Sequence, residues 1–176
     1  MTVSGRRRVA VFVDGSNTYY AMRDTLAWTL DWKRFRTFLE GFGYVSECTY
    51  YVGRSDDPKH DSFLSMLAHS GYSIVAKDLK TIHDADGVPF QKANVDVEIA
   101  VDMVGRTDAY DTAVLVSGDG DYERALRFVR DRGKDVFVVS TQRRLAQELF
   151  WLVGRNFIEL GELRGELELQ RAVAEH

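Results

Sequence analysis

The sequence predicts an α/β fold in which a mainly parallel central sheet is covered by helices on both faces, a three-layer α/β/α arrangement. Short apolar segments rich in β-branched and aromatic residues alternate along the chain with segments of helical apolar spacing. Two apolar segments, RVAVFVDGSN and TAVLVSGDGD, end at Asp or Ser followed by Gly, which is typical of a buried parallel strand meeting a turn. We find no linker and no internal repeat in the 176 residues, so we expect one compact domain.

The first half of the chain contains three predicted strands, at residues 9–13, 48–52 and 73–79. Helical spacing extends over about residues 32–42, and a second helix is predicted to begin at Asp56-Asp57-Pro58 and to end at Gly71. The polar segment 80–91 is predicted to be a loop with a turn at Asp86-Gly87.

The second half continues the alternation. We predict helices at about residues 94–104, 122–131 and 144–153, and strands at 112–116, 136–139 and 157–160. The first of these helices is apolar nearly all round, as expected of a helix packed on a sheet. The predicted organisation is therefore a basic extension at 1–8, the domain at 9–160, and a polar helix or tail at 161–176.

Composition excludes several classes of protein. No segment approaches the roughly 20 apolar residues of a membrane span, so we expect no membrane partner. The basic and apolar N-terminus is too short for a signal peptide and ends at Asp14 without a cleavage site. The single Cys48 excludes an internal disulfide and predicts a reducing, cytoplasmic location. A net charge of −4 argues against strong general affinity for polyanions, which leaves local arginine patches as the candidate anion contacts.

Carboxylates near the ends of apolar segments are the candidate functional residues. They are Asp14, Asp96, Asp102, Asp119 and Asp121. Ligands bind at the carboxyl edge of open α/β sheets, and carboxylates gathered there repel one another unless a cation lies between them. Oxygen ligands are those that Mg²⁺ and Mn²⁺ prefer, so the pattern predicts an acidic site for one of these ions.

Each motif also has a purely structural interpretation. In DGSN, Asp14 could ligate a metal ion, with Asn17 bonding the Asp14 carboxylate or a substrate phosphate, or the motif could form only an Asx-turn that caps a helix. In SGDGDY, a helix capped by Asp121 would leave Asp119 unexplained, which favours a metal site there.

On the helix at 94–104, Glu98 and Asp102 share a face, but Asp96 lies about 160° from Glu98 and about 120° from Asp102 on the helical wheel, so the three cannot all face one ion. We favour Asp96 as the ligand and Asp102 as a supporting residue, and we expect Glu98 to face solvent. Lys92 could neutralise the pocket or hold a phosphate, or it could be an ordinary surface lysine.

Three motifs in this order resemble those of the NYN domains, which are PIN-like nucleases, and of their LabA-like subgroup. They are DGSN, K-x-x-x-D-V-x-I-A-x-D and SGDGDY, and the resemblance covers about residues 9–160. It implies a PIN-like fold and metal-dependent RNA cleavage, with Asp14, Asp96, Asp119 and Asp121 as metal ligands and catalytic residues. Asn17 and Ser117 would be polar supports beside them.

The predicted function is a metal-dependent ribonuclease that hydrolyses RNA phosphodiester bonds with water as the nucleophile. Four arginines are the candidate substrate contacts: Arg124, Arg127, Arg143 and Arg144. The alternative that stays open is a non-cleaving NYN domain that binds RNA or a protein partner in regulation. A metal-dependent adhesion site fits DGSNT, but its later elements are not recognisable in the chain.

Aromatic residues near the first strand leave two further questions open. Tyr19 and Tyr20 could stack on RNA bases, but we expect them to pack beneath the following loop. Together with Trp28 and Trp32 they could form a homodimer interface or belong to the core.

Overall fold

A computed structural model describes residues 5–170, apart from the side chains of residues 90–92. Eight strands are described: β1 Arg8–Asp14, β2 Tyr44–Arg54, β3 Ser73–Asp78, β4 Lys80–His83, β5 Pro89–Lys92, β6 Thr112–Val116, β7 Asp135–Ser140 and β8 Phe157–Glu159. Six of them form one sheet in the order β3-β2-β1-β6-β7-β8, and every neighbouring pair is parallel. The predicted α/β fold with a parallel central sheet is therefore confirmed.

Helices cover both faces of this sheet. They are α1 Gly15–Ala21, α2 Trp32–Leu39, α3 Pro58–His69, α4 Asp96–Gly105, α5 Glu123–Asp131, α6 Gln147–Val153 and α7 Arg164–Leu167. Successive side chains of β1 point to opposite faces, as the period of a strand requires. Val11 packs into the core beneath α2 and α3, and Phe12 packs into the core beneath α4, α5 and α6.

An aromatic cluster fills the core beneath α2 and α3. Trp32 makes edge-to-face contacts with Tyr50 and Tyr72, with ring centroids 5.2 and 5.7 Å apart. The Tyr72 hydroxyl donates a hydrogen bond of 2.8 Å to the carbonyl oxygen of Trp32. Trp28 and Trp32 are both buried, so these two residues belong to the core of the chain.

The segment 80–91, predicted as a loop, instead forms an antiparallel hairpin of β4 and β5. The predicted turn lies at its tip, where Gly87 has a φ of 76° and its N–H donates to the carbonyl oxygen of Asp84. The strands were missed because β4 is exposed on both faces and carries no alternating apolar pattern. The prediction of a loop was therefore wrong.

Two helix boundaries also differ from the predictions. The helix predicted from residue 144 begins at Gln147, because a turn in which the Arg144 N–H donates to the Thr141 carbonyl oxygen precedes it. In the predicted C-terminal helix, the described residues form a 3-10 turn at Leu160–Leu163 and the four-residue α7. Residues 1–4 and 171–176, part of the two predicted terminal segments, lie outside the described residues. Within the described range, no helix has the length and hydropathy of a membrane span.

One ion pair joins the amino ends of β1 and β6. Asp111 accepts hydrogen bonds from the backbone N–H of Arg8 at 2.8 Å and from its Nη2 at 2.9 Å. The Arg8 guanidinium and N–H together hold the pKa of Asp111 at about 2, below its usual value of 3.8. The carboxylate therefore stabilises the fold above pH 4, and this contribution is lost as pH falls towards 2.

We expect Asp111→Asn to lower the free energy of unfolding at pH 7 by roughly 1 kcal/mol or less, because both side chains are partly exposed and water screens the pair. Urea unfolding at pH 7 and at several values between pH 4 and 2 measures this difference. The gap from wild type should shrink across the acidic range, and Asp108→Asn, at an exposed carboxyl nearby, serves as the control. A gap that stays constant down to pH 2 would contradict the assignment.

Candidate metal centre

The candidate site lies at the carboxyl edge of the sheet, between its two central strands. From β1 the chain continues to β2 and β3 on one side of the sheet. It then crosses to the other side, where β6 lies beside β1 and is followed by β7 and β8. Such a switch point in strand order leaves a crevice in which α/β proteins bind ligands. Asp14 ends β1, the SGDGD turn follows β6, and α4 brings Asp96 to the same place.

Asp96, Asp119 and Asp121 come together at this crevice. Each offers one carboxylate oxygen, and these three atoms lie within 4.8 Å of one another. Among the described side chains, no Lys, Arg or His nitrogen lies within ion-pair distance of these three carboxylates. Three acidic groups this close need a counter-charge, and an all-oxygen donor set fits a hard divalent cation. The triad could therefore hold a metal ion.

Asp14 lies beneath this triad, with only 4% of its surface exposed. Its Oδ1 accepts the Asn17 N–H at 3.0 Å, and its Oδ2 accepts the hydroxyls of Tyr122 at 3.0 Å and Ser117 at 3.3 Å. Burial raises the pKa of Asp14, and the charge of Asp96 adds to this effect. Without a cation, Asp14 therefore retains a proton to higher pH than an exposed aspartate does.

The Tyr122 hydroxyl links the buried acid to the triad. Its oxygen lies 3.0 Å from Asp14 Oδ2 and 2.9 Å from Asp96 Oδ1. Burial, together with these two carboxylates, raises the pKa of Tyr122, so the hydroxyl keeps its single proton. One proton cannot be given fully to two carboxylates, so Asp14, Tyr122 and Asp96 share it as one hydrogen-bonded unit.

Hydrogen bonds at Ser117, Gly118 and Asp119 fix the SGDGD turn. Asn17 Oδ1 accepts the Gly118 N–H at 3.0 Å, and Ser117 Oγ accepts the Asp119 N–H at 3.2 Å. Asp119 Oδ1 in turn accepts the Asp121 N–H at 3.0 Å, so Asp119 caps the following 3-10 turn. The structural alternative, in which Asp121 is the cap, is therefore not what the turn adopts. The turn therefore holds Asp119 in one orientation, while Asp121 stays exposed.

Gly118 allows this turn to pack closely on the segment after β7. A Cβ atom at this position would meet the Arg144 carbonyl oxygen and would lie 2.7 Å from Ser140 Oγ. The Gly118 carbonyl oxygen accepts the Ala146 N–H at 2.9 Å, which holds the two segments together. The backbone oxygen cannot rotate away as a side chain could, so a larger residue must displace the turn.

We therefore expect Gly118→Ala to lower the free energy of unfolding by about 1–3 kcal/mol and to weaken Mn²⁺ binding, because Asp119 shifts with the turn. Thermal unfolding and calorimetric titration with Mn²⁺ measure the two effects. Gly105→Ala is the matched control, since a Cβ there meets nothing within 4 Å. Equal behaviour of the two variants would show that the close packing at Gly118 is not required.

Two residues of α4 considered in the sequence do not join the triad. Asp102, the predicted supporting residue, accepts the Tyr51 hydroxyl at 2.8 Å and pairs with Arg106 at 3.2 Å. It occupies a different face of the helix from Asp96, and that face packs on β2. Glu98, expected to face solvent, is half-buried and pairs with Lys77 at 2.6 Å. The side chain of Lys92 lies outside the described residues.

A cavity of about 710 Å³ opens above the acidic residues. Its lining includes Asp14, Asp96, Asp119, Asn17, Tyr19, Tyr20 and Arg144. The two tyrosines are 53% and 42% exposed, so the expectation that they pack beneath a loop was wrong. The cavity therefore combines carboxylate, aromatic and guanidinium groups.

The four predicted substrate arginines differ in their positions. Arg144 lines the cavity, whereas Arg127 pairs with Glu123 on the outer face of α5. Arg124 and Arg143 are exposed and are not among the residues that line the cavity. Arg144 is thus the arginine best placed to meet a ligand at the acidic residues.

The sequence alone does not indicate a role for Tyr122 at the site. Tyr122 directly follows SGDGD, and this position is explained equally well by a buried aromatic residue at the start of a helix. The role of its hydroxyl depends on where α4 places Asp96, which is a long-range feature of the fold.

Comparison with known proteins agrees with this architecture. The family model described as "NYN domain" matches residues 8–161. The "Low amplitude and bright protein LabA" of Synechococcus elongatus is 34% identical over 165 residues, which cover 92% of this chain and 88% of that protein. A crystal structure of a protein of unknown function from Vibrio parahaemolyticus superposes with a TM-score of 0.78 at 28% identity, covering 91% of this chain and 96% of that one. Because the family model spans the whole six-stranded sheet, the chain belongs to the NYN domain family within the PIN-like nucleases and is a homologue of LabA.

Proposed function

We propose that this protein is a metal-dependent ribonuclease whose site is the triad Asp96, Asp119 and Asp121. The observation that supports this most directly is the approach of their three carboxylate oxygens to within 4.8 Å, without a neighbouring cation among the described side chains. The triad borders an open cavity large enough to admit part of a polymer. Membership of a PIN-like nuclease family supports the same reaction class.

The three carboxylates would hold Mg²⁺ or Mn²⁺. Either ion, when bound, supplies Lewis-acid stabilisation of the phosphodiester and activation of water. The remaining residues of the site position these ligands. The Asp14–Tyr122 pair fixes the Asp96 carboxylate, and Ser117 and Asn17 fix the turn that carries Asp119.

Arg144 is the proposed substrate contact. Its guanidinium lines the same cavity, and an arginine is well suited to a phosphate because it offers a planar array of donors. It would hold the RNA backbone against the acidic residues, whose own charge repels phosphate when no metal ion is bound.

The test is cleavage of a mixture of single-stranded and structured RNAs with Mg²⁺, with Mn²⁺ and with EDTA. We expect cutting with either ion and none with EDTA, together with saturable Mn²⁺ binding in a calorimetric titration without RNA. RNA that is bound but never cut under any of these conditions would favour the non-cleaving, regulatory NYN domain. Cutting that persists in EDTA would exclude the proposed metal site as its source.

A further inference from the structure

α1 presents one side to the cavity above the acidic residues. Ser16, Asn17, Tyr19 and Tyr20 all line the cavity, and the two tyrosines lie one helical turn after the first two. The opposite side of α1 is anchored, because Thr18 is buried and its hydroxyl donates to the Asp14 carbonyl oxygen at 2.8 Å. The tyrosines therefore cannot turn into the core without unwinding the segment that carries Asp14.

The two rings form one exposed aromatic surface. Their centroids are 5.4 Å apart in an edge-to-face arrangement, and both rings remain about half exposed. The Arg23 guanidinium carbon lies 5.8 Å from the Tyr19 centroid and 4.8 Å from the Tyr20 centroid. This cation–π contact holds the rings in place and leaves aromatic surface open to the cavity.

Arg144 completes this wall of the cavity. Its guanidinium carbon lies 6.0 Å from the Tyr20 centroid, and its Nη1 lies 3.8 Å from Asp24 Oδ2. Its side chain is partly exposed and lines the cavity. A guanidinium beside an exposed ring matches a nucleotide, which offers a flat base and an anionic phosphate a short distance apart.

We propose that Tyr20, supported by Tyr19, stacks on an unpaired nucleobase while Arg144 contacts an adjacent phosphate. The inference builds on the proposed ribonuclease and assigns it a substrate class, single-stranded RNA. Bases inside a duplex are stacked on each other and do not offer a free face to a protein ring. The site therefore selects single-stranded segments through their exposed bases.

The test uses a short single-stranded RNA containing one 2-aminopurine, whose fluorescence falls when the base stacks. Titration with Ca²⁺ in place of Mg²⁺ or Mn²⁺ gives the carboxylates a counter-charge, and electrophoresis of the recovered strand confirms that it is intact. We expect saturable quenching by the wild-type protein and at least about tenfold weaker binding by Tyr20→Ala, a change that corresponds to about 1.4 kcal/mol. Tyr20→Phe keeps the ring and should bind like wild type.

Tyr44→Ala is the matched control. Tyr44 is also 50% exposed, but it begins β2 at the opposite edge of the sheet. Thermal unfolding of each variant confirms that it is folded. The same strand annealed to its complement is titrated as the duplex comparison. The stacking proposal is overturned if wild type gives no quenching, or if the duplex binds wild type as well as the single strand does. It is also overturned if Tyr20→Ala binds the single strand as well as wild type does, or if Tyr44→Ala loses as much affinity as Tyr20→Ala.

Binding and cleavage separate the two proposals. Quenching that depends on Tyr20, in a protein that cuts no RNA with Mg²⁺ or Mn²⁺, would contradict the ribonuclease proposal and support the stacking proposal. Metal-dependent cutting with the same KM in wild type and Tyr20→Ala would support the ribonuclease proposal and contradict the stacking proposal.

Discussion

Asp119→Asn is expected to lower the rate of metal-dependent RNA cleavage by at least about 100-fold and to weaken Mn²⁺ binding. Loss of groups that merely orient metal ligands costs about 10- to 100-fold in affinity or activity, so loss of a ligand's charge should cost at least as much. The substitution preserves shape, and the new amide oxygen can still accept the Asp121 N–H and cap the turn. The fold should therefore survive while the site loses a third of its negative charge.

Initial rates at saturating Mn²⁺, with Mn²⁺ affinity from calorimetry, measure the two effects. The control is Asp108→Asn, which removes one charge from an exposed carboxyl before β6, at the other end of that strand. Similar cleavage by wild type and Asp119→Asn would point to a contaminating nuclease or to a site elsewhere in the chain.

Asp14→Asn should have opposite effects on stability and on function. Asp14 is buried and forms no ion pair with the described side chains, and its burial raises its pKa. An asparagine can accept the Asn17 N–H through its oxygen and donate to the hydroxyl oxygens of Tyr122 and Ser117 through its nitrogen. The metal-free variant should therefore be more stable than wild type at pH 7–8, with a Tm higher by at least about 2 °C.

The pH dependence of this difference follows from the raised pKa. The Asp14 carboxyl contributes its full stability below its ordinary value of 3.8, and that contribution is lost as pH rises through the raised value. The advantage of Asp14→Asn should accordingly shrink as pH falls towards 4. Thermal unfolding in EDTA across this range measures it.

Function should change in the other direction. With an amide at position 14, the proton of Tyr122 is drawn towards Asp96 alone, so the metal ligand loses negative character. We expect weaker Mn²⁺ binding and a loss of cleavage of at least about tenfold. A variant that is less stable than wild type at pH 8 without metal would contradict the unfavourable burial of the Asp14 charge.

The sequence allowed the central architecture to be predicted because the governing signals are local. Each of the buried strands β1, β6 and β7 is an apolar segment ended by polar or glycine residues, and those ends identify the carboxyl edge. The positions of Asp14 and Asp119 at that edge follow directly from strand ends. The hairpin of β4 and β5 was missed because strand pairing there depends on backbone hydrogen bonds, which leave no apolar pattern in exposed residues.

The details of the site depend on packing between distant segments. The helical wheel separated Asp96 from Asp102, but only the contact of α4 with β2 shows that Asp102 bonds Tyr51. In the same way, the exposure of Tyr20 depends on which side of α1 meets the sheet, and the seven residues of α1 carry too few apolar positions to indicate it.

The strand order also determines when the site can form during folding. The side chains of Asp14 and Ser117 touch although 103 positions separate them in the chain, because β1 lies between β2 and β6. Contacts that close such long loops form slowly, whereas β1 can pair with β2 over a much shorter loop. The three triad residues are close together in the chain, but Asp14, which supports Asp96 through Tyr122, reaches them only when β1 lies beside β6. Full affinity for a divalent ion therefore requires this long-range pairing, which makes Mn²⁺ binding a probe of the completed chain topology.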